Sequence, residues 1–272
     1  MSRLLAELDR VDRGEAPARR GGRLGRLGKA NLIFIVSAVV ALGLVYAAGK
    51  AFPGLLAGAP ASGPGQVREP AATGTGPYAF MMTTPSGRPV GYDPCRPIHY
   101  VVNTAGQPAG AATLVQDAAR QVSAASGLNL VDDGTSQDRP TAGDQGSRPR
   151  RSGEPALIAW ASSSEYPRID GDIEGEGGSV SLASNGPESA RFVTGQVVLN
   201  RDGLAVILAG RDGYVRARAI VMHELGHLVG LDHVNNDGEL MAPHYTGLTG
   251  FGPGDREGLA RLRALPCQAG DN

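Results

Sequence analysis

Eleven residues, His223-Glu224-Leu225-Gly226-His227-Leu228-Val229-Gly230-Leu231-Asp232-His233, hold three imidazoles and a carboxylate at spacings suited to chemistry. His223 and His227 are four residues apart, so on a helix they project from one face, a turn from each other. Glu224 flanks that face beside the first imidazole. Gly230 can end the helix in a left-handed turn, because glycine has no Cβ to clash. The chain can then double back and bring His233 to the same point. Three nitrogen donors with a fourth position open define a catalytic zinc site rather than a closed structural one, and the neighbouring carboxylate is placed to act as a base. Four of the five histidines fall between 223 and 244. A solitary histidine is usually a satisfied core or surface residue; three in register are not. His99 stands alone on a strand-like run and reads as structural, and His244 reads as a surface or pocket-wall residue.

Downstream, Glu239-Leu240-Met241-Ala242-Pro243-His244-Tyr245 puts a methionine eight residues after His233, with a proline and a tyrosine following. The two stretches together resemble the metzincin clan of zinc peptidases, whose helix motif is followed by a methionine-containing turn. The M-x-P-x-Y pattern and its spacing are most similar to the matrixin branch. The resemblance implies that His223, His227 and His233 bind one zinc ion, that Glu224 is the general base and that Met241 lies beneath the metal. It also implies that Pro243 and Tyr245 line the pocket for the substrate side chain just after the scissile bond. The implied activity is a zinc metalloendopeptidase acting on extracellular or cell-surface proteins. The pattern departs from matrixins at Val234, where a serine is common, and too few histidines remain for that family's additional structural zinc. No propeptide with a switch cysteine is evident. Two other functions fit the residues: a non-catalytic metal-binding module of the same fold, and a zinc hydrolase of a non-protein amide. The intact Glu224 disfavours the first, and the resemblance alone disfavours the second.

Positioning such a site takes an ordinary domain, and the 272 residues allow one plus extensions. A net charge of −1 and 41% hydrophobic content give no reason to expect nucleic-acid binding or global disorder. Oligomeric state is not legible. Residues 30–49 carry no charge, and twenty residues at helical rise span about 30 Å, the thickness of a hydrocarbon core. Arg13, Arg19, Arg20, Arg23, Arg26 and Lys29 precede that run. The positive-inside rule then predicts a cytoplasmic tail at 1–29, a single membrane-crossing anchor at 30–49 and an outward-facing remainder. A cleaved signal peptide, with Val45-Tyr46-Ala47 at the cut, is the alternative and also exports the domain. Residues 50–76 are rich in Gly, Pro and Ala and read as a linker, leaving 77–272 as the extracytoplasmic catalytic domain.

Within that domain, apolar patterning predicts strands at 99–103, 128–131, 156–160, 180–183 and 192–199. Helices are expected at 109–126, 213–229 and 255–265. The run 156–160 is continuously apolar, as a central strand should be. Residues 132–153 read as a long polar loop, in which Arg148-Pro149-Arg150-Arg151 is either a processing site or simply solvated. The acidic run 170–177 could bind calcium but reads more simply as a turn-rich loop. The expected class is α+β. The resemblance fills this in as a twisted, mostly parallel sheet with an active-site helix, a Met-turn and a C-terminal helix, and residues 180–183 are expected at the sheet edge. Cys95 and Cys267 are the two cysteines, and an even count in an exported domain predicts a disulfide. A latency ligand at Cys95 is the alternative, although Pro94-Cys95-Arg96-Pro97 does not reproduce the matrixin switch sequence.

Overall fold

The computed structural model describes residues 76–141, 150–170 and 173–268. The expected tail at 1–29, the anchor at 30–49 and the linker up to residue 75 lie outside these residues. Among the described residues no helix is long and apolar enough to cross a membrane.

A five-stranded mixed sheet carries the domain. Its strands are β2 (Ile98–Asn103), β3 (Leu130–Thr135), β4 (Ala156–Ala161), β5 (Gly175–Leu182) and β6 (Arg191–Asn200), in the order β3-β2-β4-β6-β5. The first four lie parallel, and β5 runs antiparallel along the edge beside β6. β4 is in the middle, and all six of its residues are buried. A strand covered on both faces has no solvent side to make polar, hence its unbroken apolar run. A second, two-stranded sheet pairs β1 (Ala79–Phe80) with β7 (Leu231–Asp232).

Among the described residues four helices accompany the sheet: α1 (Leu114–Ser126), α2 (Arg201–Ala209), α3 (Gly213–Val229) and α4 (Pro253–Arg263). α1 buries Leu114, Val115, Ala118, Ala119 and Val122, the stripe its spacing predicts. Its large aliphatic side chains contribute roughly 1.5–3 kcal/mol each. α3 packs against α1, α2 and the edge strand β5. The main core lies between the sheet and the helices, and joins Ile158, Trp160, Leu199, Leu225, Leu228 and Leu262. On the opposite face a smaller cluster of Ala161, Tyr166, Ile169 and Val198 is closed by the 3₁₀ turn Pro167–Ile169.

Several expectations shift. α1 begins at Leu114 rather than 109, because Pro108 to Leu114 forms successive tight turns instead. β3 occupies Leu130–Thr135, later than 128–131, and shortens the expected loop. Within that loop Arg150 bonds the Pro155 carbonyl and Asp138, so it braces the chain; residues 142–149 lie outside the described residues. The edge strand is longer than 180–183, starting at Gly175, so the end of the acidic run is strand rather than loop. α2 was not expected at all. Asn200 starts it by accepting hydrogen bonds from the N–H groups of Asp202 and Gly203. Cys95 and Cys267 are joined as a disulfide, with 5.5 Å between their Cα atoms, which removes Cys95 as a latency ligand.

Candidate metal centre

Helix α3 carries His223 and His227 on one face and ends at Gly230, whose φ of 127° only glycine adopts without strain. The chain then reverses into β7, and β1 pairs with it, Phe80 opposite Leu231. Met81 adds a further backbone bond to the Gly230 carbonyl at 3.0 Å. This pairing delivers His233 to the other two histidines. The three Nε2 atoms form a near-equilateral triangle: 3.0 Å from His223 to His233, and 3.1 Å from His227 to each of the others.

Proton bookkeeping shows what this triangle requires. His223 Nδ1 is 2.7 Å from the Leu240 carbonyl, and His227 Nδ1 is 2.8 Å from the Leu231 carbonyl. A carbonyl can only accept, so each neutral ring carries its proton on Nδ1 and directs a bare lone pair inward. Two such lone pairs cannot hydrogen-bond each other, and a single proton on His233 cannot satisfy both. Protonation is opposed as well. Burial pushes His223 down to about 4 and His227 to about 3, and desolvation also lowers His233, against the pull of Asp232. A cation is the partner this geometry suits. Three corners of a tetrahedron with zinc–nitrogen bonds of 2.0–2.1 Å lie roughly 3.3 Å apart, close to the spacing observed. The donor set therefore fits zinc. The carbonyls behind His223 and His227 fix the orientation and tautomer of those two rings, the usual outer support of a metal site.

Glu224 is 6% exposed and faces the edge strand. Burial is the main reason that its carboxyl rises to about 8, and Glu176 adds to this, while the Gly177 N–H holds it down. A divalent cation alongside would reverse that shift. Glu176 is itself tied to Tyr166 Oη at 3.2 Å and Arg168 Nε at 2.7 Å. Gly177 permits the contact: a Cβ there would overlap the Glu224 carbonyl oxygen.

Met241 is 1% exposed and lies under the helix at Gly226, where a Cβ would come within 2.6 Å of its sulfur. Pro243 and Tyr245 line a cavity of about 350 Å³ together with Ile220, His223, Glu224 and Leu240. The structure thus brings together the seven residues to which the motif assigns a role, and His244 also lines the cavity, with Asp237 3.3 Å away. His99 pairs with Asp133, far along the sheet. For calcium, no grouping of three acidic ligand atoms forms in the run 170–177 among the described residues. Asp93, Cys95 and Cys267 do cluster, but the two sulfurs are spent in the disulfide.

The motif alone did not point to the residues behind the ligands. Asp255, 1% exposed, accepts the N–H groups of Leu240 at 2.6 Å, Gly252 at 2.9 Å and Met241 at 3.4 Å. Glu239 accepts those of Gly254 and Asp255, both at 2.9 Å. Between them these two buried carboxylates fasten the Met-turn to the start of α4. Asp255 at the third position of a helix was a readable capping signal, but its reach to residues 240 and 241 was not.

Comparison with known proteins finds one matching family model. The family model described as Matrixin (Peptidase_M10) matches residues 158–261, from within β4 through most of α4 and including the whole candidate site. Over that stretch, 104 of the 272 residues, the chain is similar to the matrixin family. Among solved structures, archaemetzincin from Methanopyrus kandleri is similar at 15% identity, with a TM-score of 0.38, covering 60% of this chain and 93% of that one. No curated protein matches the sequence.

Proposed function

We propose that the chain is a zinc endopeptidase in which His223, His227 and His233 hold the metal and Glu224 is the general base. The observation that carries this reading is the triangle of inward-facing lone pairs with a buried carboxylate on the residue next to His223. Bound there, zinc would polarise the scissile carbonyl and bring a coordinated water toward a pKa of about 7. Glu224 takes a proton from the attacking water and returns it to the leaving amine. The Gly177 N–H steadies that carboxylate, and Met241 supports the floor of the site from below. The outer edge of β5, free of a neighbouring strand among the described residues, suits an extended substrate added as a further antiparallel strand. The cavity walled by Pro243 and Tyr245 receives the side chain that follows the scissile bond.

The domain is placed outside the cell on a single N-terminal anchor. The arginine-flanked apolar run and the Cys95–Cys267 disulfide support that location. Protease digestion of intact cells that left the domain untouched would argue against it.

The central test uses the full-length chain, as wild type and as Glu224→Gln. One zinc per chain is expected by elemental analysis in both. Peptide cleavage is expected to fall by about 10²–10⁴ in the variant. Equal cleavage by the two proteins would remove Glu224 from the mechanism, and zinc binding without any cleavage would leave a binding module.

A further inference from the structure

We propose that Arg216 sets the substrate preference of the cavity beside the metal centre, favouring a long side chain that ends in a carboxylate. This rests on the peptidase reading above and goes beyond it by naming the substrate chemistry. Arg216, Ala219, Ile220 and His223 are spaced i, i+3, i+4 and i+7, and so occupy one face of α3. From His223 back to Arg216 is seven residues, about 10 Å along the helix axis. Ala219 and Ile220, between them on that face, line the cavity with Leu240, Ala242 and Pro243. These walls suit the methylenes of an extended side chain, and the small Ala219 leaves room for its length.

The far end is different. Tyr245 lines the cavity, and the Arg216 guanidinium carbon lies 5.5 Å from the centre of its ring. Arg216 is exposed and does not itself line the cavity, and stacking of this kind holds its guanidinium against a residue that does. Among the described residues its partner is that ring, not a carboxylate, whereas Arg201 and Arg211 each face an acidic side chain. Two acidic residues line the cavity. Glu224 belongs to the metal end, and Glu174 packs its carboxylate against Gly203 in the first turn of α2. The positive charge of Arg216 is therefore available to a substrate. A glutamate-type side chain supplies an apolar stem for the walls and an acceptor for the guanidinium; a lysine-type side chain meets like charge.

The test compares full-length wild type with Arg216→Ala, Arg216→Glu and Arg216→Lys. Peptides carrying Glu, Leu or Lys after the scissile bond are assayed for kcat/KM. Three hydroxamates with carboxyethyl, isobutyl or aminobutyl side chains are titrated for binding. Wild type should prefer Glu over Lys by about fivefold or more, the scale of a partly exposed charge pair. Arg216→Lys should keep the order, Arg216→Ala should level it and Arg216→Glu should invert it, with the hydroxamate affinities following. An unchanged order in all four proteins overturns the proposal. If no peptide is cleaved, the peptidase reading falls, and the hydroxamates still decide the role of Arg216: acid-over-base discrimination that vanishes in Arg216→Ala supports it, and indiscriminate or absent binding sinks it.

Discussion

Asp255 and His223 hold the two sides of Leu240: its N–H donates to Asp255 Oδ2 at 2.6 Å, and its carbonyl accepts from His223 Nδ1 at 2.7 Å. A carboxylate on the last helix thereby aims an imidazole on α3 through a single residue of the intervening turn. Asp255 touches neither metal nor substrate and acts as a positioning residue. Asp255→Ala should leave the N–H groups of Leu240, Met241 and Gly252 without their acceptor and let the Leu240 carbonyl drift from His223. Zinc affinity is expected to fall about 10–100-fold, as for other outer-shell losses. Chelator competition measures it; an unchanged affinity would mean that the Met-turn keeps its shape unaided.

The same carboxylate gives a pH signature. Burial pushes Asp255 up to about 6 from an ordinary value of 3.8, despite the N–H groups of Gly252 and Leu240 that pull it down. The folded protein therefore takes up a proton between those limits that the unfolded chain does not. Stability from this group is greatest below about pH 4 and is lost as pH rises through about 6. Asp255→Asn carries no charge and lacks this dependence. Relative to that variant, the metal-free wild type should lose up to about 3 kcal/mol between pH 4 and pH 7. Denaturant melts of both proteins at the two pH values give the difference directly, and a shift toward wild type with rising pH would contradict the assignment.

What the sequence made legible was local. The helical spacing of His223 and His227, the stop at Gly230 and the continuously apolar β4 depend on neighbours within a few residues, and all appear where expected. α3 spans the predicted residues, Gly213–Val229. Elements fixed by distant partners were not legible. β1 and β7 are two residues each, and the bond from Ala79 to Asp232 crosses most of the domain. α2 was hidden because Leu204 to Leu208 is an aliphatic run containing the strand-like Val206 and Ile207, close behind β6 and separated from it only by Arg201-Asp202-Gly203. Its true markers were Asn200 as cap and Asp202 in the first turn. In the site, the ligand types and spacing could be read, but the carbonyls of Leu231 and Leu240 that aim them could not. Any residue can offer a carbonyl.

The disulfide ties the loop before β2 to the segment after α4, and neither end reaches the metal centre. Cys95 and Cys267 are 172 positions apart, and closing a loop of that size is worth about 4–5 kcal/mol in the chain-entropy model. Cys95→Ser with Cys267→Ser should lower unfolding stability toward that extent, and zinc affinity should stay within about twofold, since Asp255 and Glu239 hold the Met-turn independently. Melts of the double variant, with and without reductant, test the first part. A large loss of zinc affinity would show that the C-terminal tie controls the site.

Two adjacent glycines of β5 should behave differently. At Gly177 a Cβ would overlap the carbonyl oxygen of Glu224, backbone against backbone, whereas at Gly178 no atom lies within 4 Å. Gly177→Ala must push the edge strand away from α3 and take with it the N–H that steadies the Glu224 carboxylate. A displacement of about 1 Å there is enough to cost about 10²-fold in kcat/KM, and the strain should reduce stability by about 1–3 kcal/mol. Gly178→Ala should change stability by less than about 0.5 kcal/mol. Zinc content should be unaffected in both, because a Cβ at Gly177 would first meet the Glu224 backbone and one at Gly178 would meet nothing within 4 Å. Peptide turnover and thermal melts of the pair, run side by side, separate a strand that only borders the base from one that holds it; equal behaviour of the two variants would favour the former.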